Sequence, residues 1–174
     1  MRALVVYESM FGNTHVVAER IGAGLRVDFD VDVVSVGEAM GRDVAGVDLV
    51  VVGGPTHVHG MSRERTRVAA ADQADKDEDL HLDPSASGPG LREWLDGLPR
   101  YERVWAAVFD TRVVGPELVT GSAGRGIAKR LAKHGFSLVA PYESFLVDRE
   151  NQLVDGEADR AEEWGEALTV HVPT

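Results

Sequence analysis

The chain has 174 residues, 44% of them apolar, which is enough for one globular domain with a sizeable core. Acidic residues outnumber basic ones 29 to 18, for a formal charge of −11. That balance is against nucleic acid and anionic lipid as partners, since phosphate-rich surfaces are met by basic faces. The absence of cysteine excludes disulfides, thiolate metal sites, iron–sulfur clusters and a cysteine nucleophile. The opening run MRALVVY stops at Glu8, too soon for a signal peptide or a membrane span, so a soluble cytoplasmic protein is expected.

Short β-branched runs alternate with helical stretches, the pattern of an α/β fold with a parallel sheet. Ala3 to Tyr7 (ALVVY) is a continuous apolar run, as a strand buried on both faces requires. A helix follows from about Thr14 to Arg26, with Val17, Ala18, Ile21 and Leu25 on its apolar face. Phe29 to Val36 alternates and reads as a second strand, more exposed on one side. Val47 to Val52 is a third, ending in Gly53-Gly54-Pro55. The stretch from Ala70 to Gly90 begins helical and continues as a long, solvated acidic loop, before a helix carrying Leu91, Trp94 and Leu95. Val104 to Phe109 is the fourth strand. Ser122 to His134 is a helix with Ile127, Ala128 and Leu131 inward and Gly135 as its stop. The fifth strand lies within Phe136 to Val147, interrupted by Pro141. A last helix, Glu157 to Thr169, turns Ala158, Ala161, Trp164 and Leu168 inward. Five strands and about five helices in residues 1–174 show no linker or repeat and read as a single domain.

The segment Glu8-Ser9-Met10-Phe11-Gly12-Asn13-Thr14-His15 joins the first strand to the first helix at the carboxyl edge of the sheet, where doubly wound folds bind ligands. Open N–H groups and a partial positive charge at a helix N-terminus suit a phosphate. Ser9 and Thr14 add hydroxyls, Asn13 an amide, and Gly12 lets the backbone wrap closely. The loop has neither Lys nor Arg, so a phosphate here is held by neutral donors. A Ser/Thr-rich helix cap without a ligand is the other reading. His15, just inside the helix, reads as a surface residue.

Val5, Val6, Tyr7, Ser9, Gly12, Thr14, Ala18 and Ile21 together match the strand, phosphate loop and helix of one family: the chain resembles the flavodoxins. The strand and helix order agrees over nearly its whole length, and the match is closest to the short-chain members. The resemblance implies a three-layer α/β fold, with a five-stranded parallel sheet in order 2-1-3-4-5 and helices on both faces. It also implies a noncovalent FMN whose phosphate lies on Ser9, Met10, Phe11, Gly12, Asn13, Thr14 and His15, with the ring across the ends of the third and fourth strands.

Pro55-Thr56-His57-Val58-His59-Gly60 resembles the family's second flavin loop, with His57 where an aromatic residue usually stacks. Met61 is a further candidate to pack on the ring. Val58, His59 or Gly60 would supply the carbonyl that meets the reduced flavin N5. His57 and His59, two apart on an extended segment, would face one way as metal ligands do, but no third ligand is suggested. Asp110-Thr111-Arg112 stands where the third loop holds the pyrimidine edge, and no Tyr follows before Phe136 to cover the ring. Arg112 either approaches flavin N1 and O2, favouring the reduced anionic ring, or pairs with a surface carboxylate. The segment from Gly121 to Gly126 reads as helix capping and close packing.

These readings lead to an FMN-binding electron-transfer protein shuttling electrons between redox partners. The alternatives are a flavin-dependent NAD(P)H–quinone or protoporphyrinogen-type oxidoreductase, favoured by the missing aromatics, and an interaction scaffold without FMN. Asp72 to Asp83 holds six acids and one Lys, a net −5. Such a surface suits a basic-surfaced redox partner such as an NADPH-dependent flavin reductase.

Overall fold

Strand β1 (Arg2–Tyr7) is buried from Ala3 onward because helices cover both faces of the sheet to which it belongs. The computed structural model describes residues 1–57, 59–77, 80–102 and 104–173. In chain order, β1 is followed by α1 (Asn13–Leu25), β2 (Asp30–Ser35), α2 (Val36–Ala39), β3 (Leu49–His57), β4 (Gly60–Met61), α3 (Glu64–Ala74) and α4 (Leu91–Asp96). Then come β5 (Trp105–Val113), α5 (Glu117–Thr120), α6 (Ala123–Lys133), β6 (Ser137–Leu138), β7 (Glu143–Val147) and α7 (Glu157–Thr169).

Parallel pairing runs β2-β1-β3-β5, and the fifth position is shared by β6 and β7, both parallel on β5. In five-strand counting this is the order 2-1-3-4-5. The split falls at 139–142, around Pro141, whose missing N–H cannot serve a ladder. The short β4 alone runs antiparallel, folding back on β3 as a hairpin.

Alternate residues of the central strands feed two cores. Val6, Val50, Val52, Ala106 and Val108 meet Trp94 and Leu95 of α4 and Ile127 and Leu131 of α6. Val5, Leu49, Val51, Ala107 and Phe109 meet Val17, Ile21 and Leu25 of α1 and Ala161 and Leu168 of α7. The period-two and period-3.6 patterns thus decide which face each helix covers. Helices α1 and α7 approach to backbone contact at two glycines. A Cβ on Gly24 would lie 2.0 Å from the Glu162 carbonyl oxygen, and one on Gly165 2.3 Å from that of Ile21.

Three boundaries differ from the sequence reading. Strand β3 runs through Gly53, Gly54 and Pro55 to His57, because β5 keeps pairing with it as far as Thr111. Gly53 turns its backbone towards β1, where its carbonyl accepts from Glu8 N. By alternation Pro55 faces the same side, beyond the point where β1 has turned away, so its missing N–H leaves no gap in the ladder. Strand β5 likewise continues to Val113, so Asp110, Thr111 and Arg112 are strand residues rather than a loop. Val36 opens the short helix α2, which Ser35 and Glu38 cap reciprocally. The carboxyl ends of β1, β3, β5 and β7 all reach one edge of the sheet. Among the described residues, no helix is long and apolar enough to cross a membrane.

Candidate functional site

At that edge lies a cleft of about 210 Å³, lined by Met10, Phe11, Asn13, Thr14, Pro55, Thr56, His57, Thr111, Arg112, Val113, Val147 and Asn151. Its floor is the start of α1. Gly12 is the N-cap residue at φ 93°, a left-handed conformation that disfavours any side chain, and among the described residues no side chain caps the helix. The first turn holds no acidic residue, so its partial positive charge is uncompensated from within. Buried Ser9 supports the turn by accepting from Gly12 N at 3.1 Å, which leaves its own hydroxyl proton to donate.

Asn13 and Thr14 are more committed than their sequence suggests. Thr14 Oγ1 hydrogen-bonds Thr111 Oγ1 at 2.7 Å, joining α1 to β5. Asn13 Nδ2 donates to the Asn151 carbonyl at 2.9 Å, tying the turn after β7 to the same place. Asn151 itself sits at φ 60°. Both side chains therefore frame the cleft while the backbone of the first turn stays open.

On the opposite wall, Thr56 Oγ1 accepts from Ala123 N at 3.0 Å and donates to Asp110 Oδ2 at 3.4 Å. His57 is held below its ordinary pKa by burial, with the charge of Arg67 adding, so it presents a neutral imidazole at neutral pH. The backbone turns at His59, at φ 69°, and this exposed residue forms a bridge to Gly121. His59 is therefore not in an extended conformation. Among the described residues no three His, Cys, Asp or Glu side chains are placed to hold a metal. Gly60 pairs with His57 across the hairpin and lies outside the cleft lining, and Val58 lies outside the described residues. Met61 is buried against Gly126 and Arg130, so it cannot pack on a ring in the cleft.

Asp110 is absent from the cleft. It is fully buried, and Oδ2 accepts from Ser122 Oγ at 2.5 Å and Gly124 N at 2.8 Å at the start of α6, while Oδ1 has no partner among the described residues. Its side chain occupies that helix N-terminus from within the protein. Thr111 and Arg112 do line the cleft. Arg112 Nη1 donates to the Gly115 carbonyl at 2.7 Å and to Thr120 Oγ1 at 3.2 Å, and Nε is buried with no partner among the described residues. It forms no ion pair among the described residues, although its charge helps to hold the Glu157 carboxyl below its ordinary value. Val113, Val147 and Asn151 also line the cleft, although none of them has a site role in the sequence reading. The position of Val147 and Asn151 at the end of the fifth strand was the available signal.

The flavodoxin family model matches residues 5–164. The chain belongs to the flavodoxin family. This membership implies a flavin cofactor. Solved structures with a similar fold include a flavodoxin from the domain Archaea, at 20% identity and TM-score 0.63, with 99% of each chain covered. Oxidised Flavodoxin 1 from Bacillus cereus aligns at 16% identity and TM-score 0.65, covering 99% of this chain and all of that one. A Streptococcus pneumonia TIGR4 flavodoxin aligns at 16% identity and TM-score 0.62, with coverage of 99% and 100%. No curated protein matches the chain.

Two buried carboxylates, neither given a site role by the sequence, brace the loop between β1 and α1. Glu8 accepts from Ser62 Oγ and from Leu91 N at 2.7 Å, binding the end of β1 to the hairpin and to α4. Asp83, read from sequence as part of a solvated loop, is buried instead. It accepts from His15 Nδ1 at 2.9 Å and from Ser85 N and Oγ at 2.9 and 2.6 Å, and its own N–H donates to the Met10 carbonyl at 2.7 Å. The His15 ring stacks on Tyr7, with centroids 4.5 Å apart. Burial, helped by Asp83, Glu38 and Glu19, pushes the Tyr7 hydroxyl up to about 12, so Tyr7 stays neutral. Burial also pushes the Asp83 carboxyl up, but the bonds from Ser85 and His15 outweigh this and hold it below the usual carboxylate range. A folded value below the unfolded one stabilises the fold above about pH 4, and the contribution disappears as pH falls through the folded value. Asp83→Asn should therefore lower stability at pH 7 and flatten its loss on acidification, read from urea midpoints between pH 7 and pH 3. Parallel midpoint curves for the two proteins would show that this carboxylate does not titrate with folding.

Proposed function

We propose that this flavodoxin carries FMN in the cleft and serves as an electron-transfer protein between redox partners. The observation that carries the reading is the open N-terminus of α1 at the cleft floor, surrounded by neutral donors and free of acid in its first turn. Ser9, Thr14 and the backbone N–H groups of Asn13 to His15 would hold the phosphate without a basic side chain. Met10, Phe11, Pro55, His57, Val113 and Val147 give mainly apolar surfaces against which a flat ring system packs, and the neutral state of His57 suits that contact. Thr56, Thr111 and Arg112 supply polar groups, and Nε of Arg112, with no partner among the described residues, fits an anionic or carbonyl acceptor. Bound FMN supplies the one- and two-electron chemistry, and the chain's part is to bind, orient and tune it.

Of the described cleft-lining residues only Phe11 and His57 carry aromatic rings, so one ring face has little aromatic cover. That favours a second reading, in which a quinone-like substrate stacks there and the protein is a flavin-dependent NAD(P)H oxidoreductase. Steady-state oxidation of NADPH or NADH with a quinone and no added reductase separates the two, since a carrier gives no turnover. The first reading also includes a basic-surfaced partner such as an NADPH-dependent flavin reductase. It draws support from the net charge of −11 and from exposed Glu150 and Asp155 on either side of Asn151. Reductase-coupled electron transfer should slow as salt rises from 20 to 300 mM, on the order of the ionic-strength effects of steered encounters. A salt-independent rate would contradict that partner.

The visible spectrum of the purified protein, before and after FMN addition, tests cofactor binding. A flavin band that stays with the protein through gel filtration and quenching of Trp fluorescence are expected; a band that separates entirely from the protein, with Trp fluorescence unquenched, would contradict FMN as the ligand. Thr14→Val should weaken FMN by about 1–3 kcal/mol, by removing a hydroxyl at the phosphate turn and stranding Thr111. Unchanged affinity would place the phosphate elsewhere.

A further inference from the structure

We propose that residues 80–90 form a strap whose seating on the phosphate loop is coupled to phosphate binding there, with Asp83 and His15 as the positioning pair. The idea rests on the reading that the start of α1 holds the phosphate of FMN. From 80 to 89, Asp83 is the one buried residue, and with Ser85, which hydrogen-bonds Tyr7, it seats the segment on the body of the protein. The segment around it is shaped to present that side chain. Ser85 N and Oγ both bond Asp83 Oδ1, Ala86 N donates to the Asp83 carbonyl at 2.9 Å, and Gly88 N to that of Ser85 at 3.1 Å.

The contacts grip both sides of the anion-facing turn. Asp83 N–H holds the Met10 carbonyl ahead of Gly12, while Asp83 Oδ2 holds the His15 ring behind it. His15 is the third residue of α1, so its own backbone N–H is one of the first-turn donors left open. An ionised carboxylate only accepts, which places the proton of the shared bond on Nδ1 and turns Nε2 towards Glu19, 3.9 Å away. The ring is fixed on a third side by stacking on Tyr7.

Between Met10 and His15 lies Gly12, the residue with the greatest backbone freedom in the turn. A seated strap limits that freedom before any ligand arrives, so less ordering remains to be done on binding. Linkage makes the effect reciprocal: an anion that orders the turn stabilises the seated strap by the same factor.

Hydrogen–deuterium exchange of peptides covering 80–90, with and without saturating FMN, reads the coupling directly. FMN should slow exchange there by about threefold or more, and Asp83→Asn should both speed exchange and weaken FMN roughly three- to tenfold, the scale of one lost hydrogen bond to a charged group. Ser85→Ala, which leaves the His15 bond in place, should do the same to a smaller degree, and it serves if Asp83→Asn does not fold. FMN that binds without changing exchange, or variants that loosen the strap with affinity unaltered, would overturn the coupling and leave the FMN assignment intact. If the wild-type protein binds no FMN, that assignment fails. Inorganic phosphate then decides the coupling, with slowed exchange at 80–90 supporting it and unchanged exchange ending it.

Discussion

The arrangement depends on one unsatisfied feature, the N-terminus of α1. Gly12 takes a left-handed conformation that ends the loop without supplying a side-chain cap, and the first turn contains no acid to neutralise its field. A helix start left this way at the edge of a buried sheet attracts an anion. In a protein of net charge −11, a local source of positive potential made from backbone alone is compatible with acidic surroundings.

Much of the nearby polar chemistry positions that turn. Thr14 bonds to β5 through Thr111, Asn13 bonds to the turn after β7, and Glu8 fixes the end of β1 to α4. Each bond joins elements far apart in sequence, so the cleft is assembled from the strand ends that the sheet order brings together. Asp110 shows the same chemistry in closed form. There the start of α6 is met by the protein's own carboxylate, and no ligand is required.

The core was legible because it is periodic. Val17, Ala18, Ile21 and Leu25 repeat at helical spacing and are all fully buried, and the last helix begins and ends where its pattern does. The interruption of the fifth strand followed from Pro141 alone. Strand ends were less legible: Gly53-Gly54-Pro55 has turn composition, yet β5 continues alongside and holds it in the sheet. Within the site, the residues of the first loop stand at the cleft because the strand–loop–helix order leaves them nowhere else. Asp83 could not be found this way. Its partner His15 is 68 positions away, and its neighbours Asp72 and Asp75 are the exposed acids that composition suggests. Nor does local sequence distinguish Asp110, buried under α6, from Arg112, two residues on and facing the cleft.

If the open turn of α1 is an anion site filled by the phosphate of a flavin, the phosphate must contribute a large share of the binding energy. The direct measurement is the affinity of the flavin-free protein for FMN compared with riboflavin, titrated by fluorescence at two salt concentrations. The account predicts FMN to bind at least about tenfold more tightly, a difference of about 1.4 kcal/mol, with little change in the ratio as salt rises because the loop contains no Lys or Arg. Equal affinities for FMN and riboflavin would contradict it.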